Sequence, residues 1–232
     1  MNPNEWEDCF LLHQRPYKNT SIIAEIFTRN SGKISVIAKG AKNPKSKFFG
    51  YLVPFEKLQI TYSGRSELKT LTNIDKEHNL NNTHLSKKSY SLLYINELMI
   101  KLLPKDAANE DLFNLYSKFV EDSNATEEMD ILLRNFELDL LEVLGYGINF
   151  ESDIDLDQPI VPEKDYIFIA ERGFQVGNKG SEFNGQDIIN IKERNFKNIP
   201  SVKLKQLTQA TIMYCLEGND LKSRQIFRRL RS

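Results

Sequence analysis

The chain has 232 residues, of which 40% are hydrophobic, and a formal net charge of −1, so it is long enough to fill one large core or two modest ones. No apolar run approaches the roughly 18 residues that a membrane-spanning helix needs, and the first residues lack the charged-then-apolar order of a secretion signal, so a soluble, cytoplasmic protein is expected. Cys9 and Cys215, the two cysteines, lie near opposite ends of the chain, which excludes a zinc framework or a disulfide scaffold.

The first third of the chain predicts a small β-barrel. Short runs of alternating apolar residues are separated by turn residues such as Asn30-Ser31-Gly32 and Ser63-Gly64, and Arg15-Pro16 is expected to end the first strand. Closing five antiparallel strands into a barrel removes exposed sheet edges, and the oligonucleotide-binding (OB) fold is the commonest such barrel. The predicted strands are 8–14, 20–28, 33–39, 58–62 and 67–74.

The stretch from Phe27 to Gly50 is strongly basic. No acidic residue lies between Glu25 and Glu56, and alternation in the third strand is expected to place Lys33 and Lys39 on the solvent face. The electrostatic field of such a cluster of cations attracts a polyanion, although a solvated loop kept soluble by lysines has the same pattern of charged residues. The six candidate DNA-binding residues are Arg29, Lys33, Lys39, Lys42, Lys45 and Lys47.

Helical periodicity dominates after residue 80. The predicted domains are 1–79, a barrel, and 80–232, a helical bundle with an irregular insert, a loop followed by a small hairpin, at about 151–185; the fold class is therefore α+β. Asn79 to His84 reads as a linker, while Thr126 and Asp220 are predicted helix caps. The predicted helices are 85–103, 110–120, 127–144, 186–193, 203–216 and 221–230.

Charge is distributed unevenly along the helical region. Between Asp106 and Asp165 there are 17 acidic residues and 3 basic ones, so this region would repel nucleic acid. The last predicted helix is basic and either extends a DNA path or, in the favoured interpretation, neutralises the acidic bundle. Its candidate residues are Lys222, Arg224, Arg228 and Arg229.

The sequence offers no convincing catalytic or metal-binding arrangement. Lys45 replaces the second glycine of a phosphate-binding loop, and the three histidines are scattered. Asp153, Asp155 and Asp157 resemble the start of a calcium loop, but Gln158 stands where that loop needs glycine. A binding protein without enzymatic activity, metal or cofactor is therefore expected; an RNA-binding or translation-associated barrel protein and a metal-dependent nucleic-acid enzyme are the alternatives.

Four segments resemble RecO, the bacterial DNA repair and recombination mediator. The longest and most specific is FLLHQRPYKNTSIIAEIFTRNSGKISVIAKGAKNPKS at 10–46. The supporting segments are LYINELMIKLL at 93–103, RNFELDLLEVLGYGINF at 134–150 and LKSRQIFRRL at 221–230. The resemblance implies an N-terminal OB barrel and a helical bundle, with an insert that binds zinc in some relatives but lacks the zinc cysteines here.

The same resemblance implies a function and partners. A RecO-like protein is expected to associate with the nucleoid, bind single- and double-stranded DNA, and anneal complementary strands. With RecR, it is expected to help load RecA onto strands coated by single-strand-binding protein (SSB). Tyr17, Phe48 or Tyr51 would stack on bases, although Phe48 and Tyr51 fit a core role equally well.

Two further residues are implicated in a contact with the acidic C-terminal tail of SSB. Arg134 matches the family residue for that contact, and Lys205 would assist from a later helix. Asn135 departs from the second basic residue of close relatives. The alternative for Arg134 is a local ion pair with Asp130 or Glu137 at helical spacing.

Overall fold

A computed structural model describes residues 5–76 and 88–231, without the side chains of residues 88, 89 and 227–231. Its first five strands close into a barrel with the order β1-β2-β3-β5-β4, in which β3 and β5 are parallel and the other pairs are antiparallel. This OB-like barrel and the helices that follow confirm the predicted α+β class. The strands are β1 (Glu7–Tyr17), β2 (Ser21–Thr28), β3 (Gly32–Ala38), β4 (Lys57–Ser63) and β5 (Leu68–Lys76).

The predicted break at Pro16 is wrong, because β1 continues through Pro16 to Tyr17. Strand β4 pairs only with the first part of β1, from Glu7 to Phe10, whereas β2 pairs with β1 as far as Tyr17. The second half of β1 therefore has one neighbouring strand, and proline is tolerated where its missing N–H faces away from a partner.

The turn between β2 and β3 is held by a buried carboxylate. Glu7 accepts hydrogen bonds from the backbone N–H of Asn30 at 2.6 Å and from the hydroxyl of Tyr62 at 3.0 Å. Gly32 has φ +70°, and a Cβ there would lie 2.0 Å from the carbonyl oxygen of Ala107. The predicted turn is therefore correct, and glycine is required because another segment of the chain packs directly against it.

Three helices form one compact unit with the barrel. Helices α1 (Lys88–Leu102), α2 (Glu110–Ala125) and α6 (Lys222–Arg231) belong to this first unit, and the second unit spans residues 126–220. The sequence placed all helices in a separate domain beginning at residue 80, but the predicted boundary and linker lie outside the described residues. The helices join the barrel because β2 is apolar on both faces, so its outer face also needs a cover.

The contact between the barrel and α2 is aromatic. The ring of Phe113 lies 5.5 Å from that of Phe10 and 5.6 Å from that of Phe27, and the Tyr116 ring lies 5.0 Å from Phe10. Tyr116 donates a 2.5 Å hydrogen bond to Asn96, whose amide donates to the Leu12 carbonyl at 3.0 Å. A polar link buried among these rings ties α1, α2 and β1 together.

Replacing Phe113 by Ala is expected to lower the free energy of unfolding by about 3–5 kcal/mol, because it empties a fully buried aromatic site. Urea denaturation measures the change. Leu93→Ala on α1 is the control, since Leu93 is 48% exposed and its truncation is expected to cost no more than about 0.5 kcal/mol. Equal stability of the two variants would contradict the assignment of α2 to the barrel core.

The second unit surrounds the predicted insert. Strands β6 (Asp165–Ile169), β7 (Gly173–Val176) and β8 (Phe183–Asn184) form a sheet in the order β7-β6-β8, which contains the predicted hairpin. Phe174 is fully buried, with the rings of Phe168 and Phe183 at 5.2 and 5.6 Å. Aromatic packing thus forms the core of this insert. The helices of this unit are α3 (Met129–Val143), α4 (Gly185–Lys192) and α5 (Ser201–Cys215).

Candidate nucleic-acid interface

The segment that follows β3, residues 39–52, is here called the basic loop. Three apolar side chains, Ala41, Phe48 and Leu52, are buried in the barrel core. The backbone N–H of Lys42 donates to the Thr20 carbonyl at 2.9 Å, which ties the loop to the β1–β2 turn. The loop is therefore anchored to the barrel by buried side chains and by this hydrogen bond.

Local hydrogen bonds hold the rest of the basic loop. The N–H of Asn43 donates to the Gly40 carbonyl at 2.8 Å, and the N–H of Ser46 donates to the Asn43 carbonyl at 2.9 Å. Further along, the N–H of Phe49 donates to the Ser46 carbonyl at 3.1 Å. In these consecutive tight turns, hydrogen bonds satisfy the loop's backbone polar groups, and the long side chains of the loop are exposed.

Four of the six predicted DNA-binding residues lie together on this loop and are exposed. Within the described residues, no carboxylate forms an ion pair with Lys39, Lys42 or Lys45. Lys47 is also exposed, but its ammonium donates to the Asn73 side-chain oxygen at 2.8 Å and lies 5.3 Å from the centre of the Phe48 ring. Among the described residues, the basic loop therefore carries three cations without an ion pair and a fourth, Lys47, that is hydrogen-bonded to Asn73.

Arg29 is not part of this surface. Its guanidinium pairs with Glu110 at 3.1 Å, donates to Asn114 at 2.9 Å and lies 4.6 Å from the centre of the Phe113 ring. A second carboxylate, Asp8, lies at 3.9 Å. The turn carrying Arg29 packs against α2, so this charge is used inside the first unit.

Lys33 contradicts the prediction that it faces solvent, because it is only 7% exposed. Its ammonium donates to the Ile100 carbonyl at 2.5 Å, and burial lowers its pKa. Lys39 follows Lys33 by six positions, which is about 20 Å of extended chain. The alternation of apolar residues correctly predicted which face of β3 points into the barrel. At this end of β3, however, residues 100–107 cover the opposite face.

Sequence reasoning missed two exposed cations at the end of β1 and in the turn that follows it. Arg15 and Lys18 are exposed, and Lys18 belongs to the turn whose Thr20 carbonyl holds the loop. The Lys18 ammonium lies 5.4 Å from the centre of the Tyr17 ring. The sequence predicted a strand break at Arg15-Pro16, and these residues were therefore not assigned to the barrel.

The aromatic residues predicted to stack on bases differ in how far their side chains are exposed. Phe48 is 7% exposed and belongs to the barrel core, which is the alternative that the sequence had left open. Tyr51 is 36% exposed, and Tyr17 is half-buried. Phe49, which the sequence interpretation passed over, is 50% exposed.

Arg134 forms a local ion pair with Glu137, which the sequence offered as the alternative to a contact with the SSB tail. Its guanidinium lies 2.6 Å from a Glu137 carboxylate oxygen and donates to the Thr208 hydroxyl at 2.9 Å. Arg134 is 8% exposed and Glu137 is fully buried. Lys205 is exposed, and its carbonyl accepts a 3.5 Å hydrogen bond from Thr208. The two predicted tail-binding residues are thus linked through Thr208, but only Lys205 presents its charge to solvent.

The C-terminal basic helix is anchored to α1. The Glu97 carboxylate accepts the backbone N–H groups of Lys222 and Ser223, both at 2.8 Å. Burial by itself would raise the pKa of this carboxyl, but the hydrogen bonds from Ser223 and Lys222 outweigh it and lower the pKa. The sequence proposed Asp220 as the cap and missed Glu97, which is distant in sequence. Arg224 donates to the Tyr94 hydroxyl at 3.1 Å and Lys222 is exposed; the side chains of Arg228 and Arg229 lie outside the described residues.

The aspartates of the insert are held by the protein's own groups. Asp153 accepts the N–H of Leu156 at 2.8 Å, the leading cause of its lowered pKa. Asp155 and Asp157 accept hydrogen bonds from Gln175 and Ser152. In the described part of the chain, no three His, Cys, Asp or Glu side chains are grouped so as to hold a metal ion. Nor does any described helix combine the length and apolar character that crossing a membrane requires.

Comparison with known proteins matches nearly the whole chain to one family. The family model described as "Recombination protein O N terminal" matches residues 1–78, and "Recombination protein O C terminal" matches residues 86–197. A protein named DNA repair protein RecO from Methylococcus capsulatus is 34% identical over 227 residues, covering 96% of this chain and 92% of the relative. Proteins of the same name from Coxiella burnetii and Vibrio cholerae are 34% and 33% identical, covering 95% of this chain and 96% and 92% of the relatives. None of these relatives supports the alternative of an RNA-binding or translation factor.

Proposed function

This chain belongs to the recombination protein O (RecO) family, and we propose that it is a repair and recombination protein that binds single- and double-stranded DNA through its basic loop. One observation carries the proposal: Lys39, Lys42 and Lys45 are exposed on a hydrogen-bonded loop, with no ion-pair partner among the described residues. Arg29 and Lys33, which the sequence included, are left out because their charges are used internally.

The basic loop binds the sugar-phosphate backbone through charge. Each lysine set against a phosphate releases a condensed counterion, so affinity is independent of sequence and falls as salt rises. A loop fixed by the barrel loses little backbone entropy when DNA binds. Arg15 and Lys18 extend the cationic surface toward the β1–β2 turn.

Annealing follows from the same surface. Two complementary strands repel each other through their phosphates, and a cationic protein surface lowers that repulsion while leaving the bases free to pair. Base pairing supplies the free energy, so we assign the protein no catalytic role and no need for ATP. Binding of this kind places the protein on the nucleoid.

The family resemblance supports RecR as the partner, with RecA loading onto SSB-coated strands as the outcome. For the acidic SSB tail, the exposed surface of α5 is the better docking place within the second unit. Val202 is 62% exposed and lies three residues before Lys205, so the two share one helix face. Lys205 would bind a terminal carboxylate while Val202 contacts an apolar side chain.

Complementary oligonucleotides coated with SSB are expected to anneal faster when this protein is added, and the acceleration is expected to disappear for a variant with Lys39, Lys42 and Lys45 changed to Glu. Loss of fluorescence as a dye-labelled strand pairs with a quencher-labelled strand follows the reaction. The matched control changes Lys118, Lys179 and Lys197 to Glu, because these lysines are exposed elsewhere and their replacement changes the net charge equally. A wild-type protein that leaves the rate at its spontaneous value would refute the proposed function.

A further inference from the structure

Phe49 is the largest exposed apolar side chain on the basic loop, and its position is fixed. Its neighbour Phe48 is 7% exposed and fills the barrel core, while Phe49 is 50% exposed. Phe48 enters the barrel core and its neighbour Phe49 does not. The ring of Phe49 therefore faces solvent beside a buried anchor.

The backbone around Phe49 holds the ring in place. The N–H of Phe49 donates to the Ser46 carbonyl at 3.1 Å, and the N–H of Tyr51 donates to the Phe48 carbonyl at 3.3 Å. Between them Gly50 has φ +77°, a conformation in which glycine reverses the chain without strain. Leu52 returns to the barrel core. The loop thus presents Phe49 between two buried anchors.

The charges around Phe49 match a nucleic-acid strand. Lys45 and Lys47 precede it by four and two residues, and both are exposed. No acidic side chain occurs between Glu25 and Glu56, so the loop itself contributes no carboxylate that would repel phosphates. An aromatic ring beside cations is the arrangement with which proteins bind single strands, since an unpaired base offers a face for stacking while its phosphates meet lysines.

We propose that Phe49 stacks on an unpaired base and gives the basic loop its preference for single-stranded DNA. The inference rests on the proposed function, because the lysines must first hold the strand. Lysines contact the phosphates of single and double strands alike, whereas the bases of a duplex are stacked on each other and closed to the ring. Tyr51, at 36% exposure, lies two residues further along and stacks on a neighbouring base.

Phe49→Ala is expected to reduce affinity for single-stranded poly(dT) about tenfold and to change affinity for duplex DNA less than about twofold. Fluorescence anisotropy with labelled strands measures both. Phe49→Tyr keeps a ring and is expected to retain wild-type affinity, whereas Phe49→Leu keeps apolar volume without a ring and is expected to behave as Ala. Tyr146→Ala, in the second unit and 46% exposed, is the control for loss of an exposed aromatic.

A strand containing 2-aminopurine gives a second readout that a merely structural role would not move. Stacking on Phe49 is expected to quench its fluorescence on binding, and Phe49→Ala is expected to restore the emission. Equal losses of affinity for single and double strands, full single-strand affinity of the Phe49→Ala variant, or unchanged 2-aminopurine quenching in that variant would each overturn the inference. The proposed function fails by a different result, namely no DNA binding by the wild-type protein or full binding by the Lys39, Lys42 and Lys45 to Glu variant.

Discussion

A variant in which Lys39, Lys42 and Lys45 are replaced by Glu is expected to bind single-stranded DNA about 100-fold more weakly than wild type at about 0.1 M salt. Each lysine released from a phosphate removes about 0.7 from the slope of log affinity against log salt for a single strand, so the slope is expected to fall by about 2. Anisotropy titrations over a range of salt concentrations measure both quantities. The loss should be the same for any base sequence, because these side chains contact phosphates.

The control for this prediction is the variant with Lys118, Lys179 and Lys197 changed to Glu. It lowers the net charge of the protein by the same amount at exposed positions outside residues 39–52. If both variants lose the same affinity and the same salt slope, total charge governs binding and the basic loop has no special role. Unchanged affinity of the loop variant would refute the loop assignment altogether.

Replacing Arg134 by Ala is expected to lower the free energy of unfolding by about 3–5 kcal/mol, because it breaks the buried ion pair that Arg134 forms with the fully buried Glu137 carboxylate. Urea denaturation of the whole chain measures the change in the free energy of unfolding. Arg134→Met combined with Glu137→Leu is the matched control, since replacing both charges with apolar groups of similar volume is expected to keep stability near the wild-type value. Equal destabilisation of the single and double variants would contradict a structural ion pair.

The same residue bears on the proposed SSB contact. Because Arg134→Ala removes a structural ion pair, lost peptide binding in that variant would not by itself identify a binding residue. Lys205→Ala separates the two roles, as Lys205 is exposed and its loss should leave stability unchanged. Anisotropy with a labelled acidic tail peptide is expected to show weaker binding for Lys205→Ala. Normal affinity in both Arg134→Ala and Lys205→Ala would dismiss this docking surface.

Periodicity predicted the order of elements well because it reports which face of a strand or helix is buried. The alternation of Ile34, Val36 and Ala38 placed β3 in the barrel with the correct inward face. The helix from Met129 to Val143 was recognisable from leucines and phenylalanine at helical spacing. These are local signals, and a window of about a dozen residues contains them.

Contacts between distant segments were not predictable in the same way. Lys33 faces outward on its strand, but a segment near residue 100 covers it. Phe27 lies on the outer face of β2 and is buried by Phe113, 86 positions later. One available signal was overlooked: β2 is apolar on both faces, which is typical of a strand covered on both sides.

The candidate site was partly predictable for the same reason. Lys39, Lys42, Lys45 and Lys47 were identified from charge density alone, since no nearby acid could neutralise them. Whether Phe48 enters the core was open, and Phe49 was not considered, because a loop has no period from which an inward face can be inferred. The anchoring of the loop by Phe48 and Leu52 decides that question.

Lysine acetylation in the presence and absence of DNA, read by mass spectrometry, tests the central claim most directly. At saturating single-stranded DNA, Lys39, Lys42 and Lys45 are expected to lose most of their reactivity, while Lys118, Lys179 and Lys197 keep theirs. Full reactivity of the three loop lysines in the DNA complex, or protection of the control lysines in their place, would contradict the assignment of DNA binding to the basic loop.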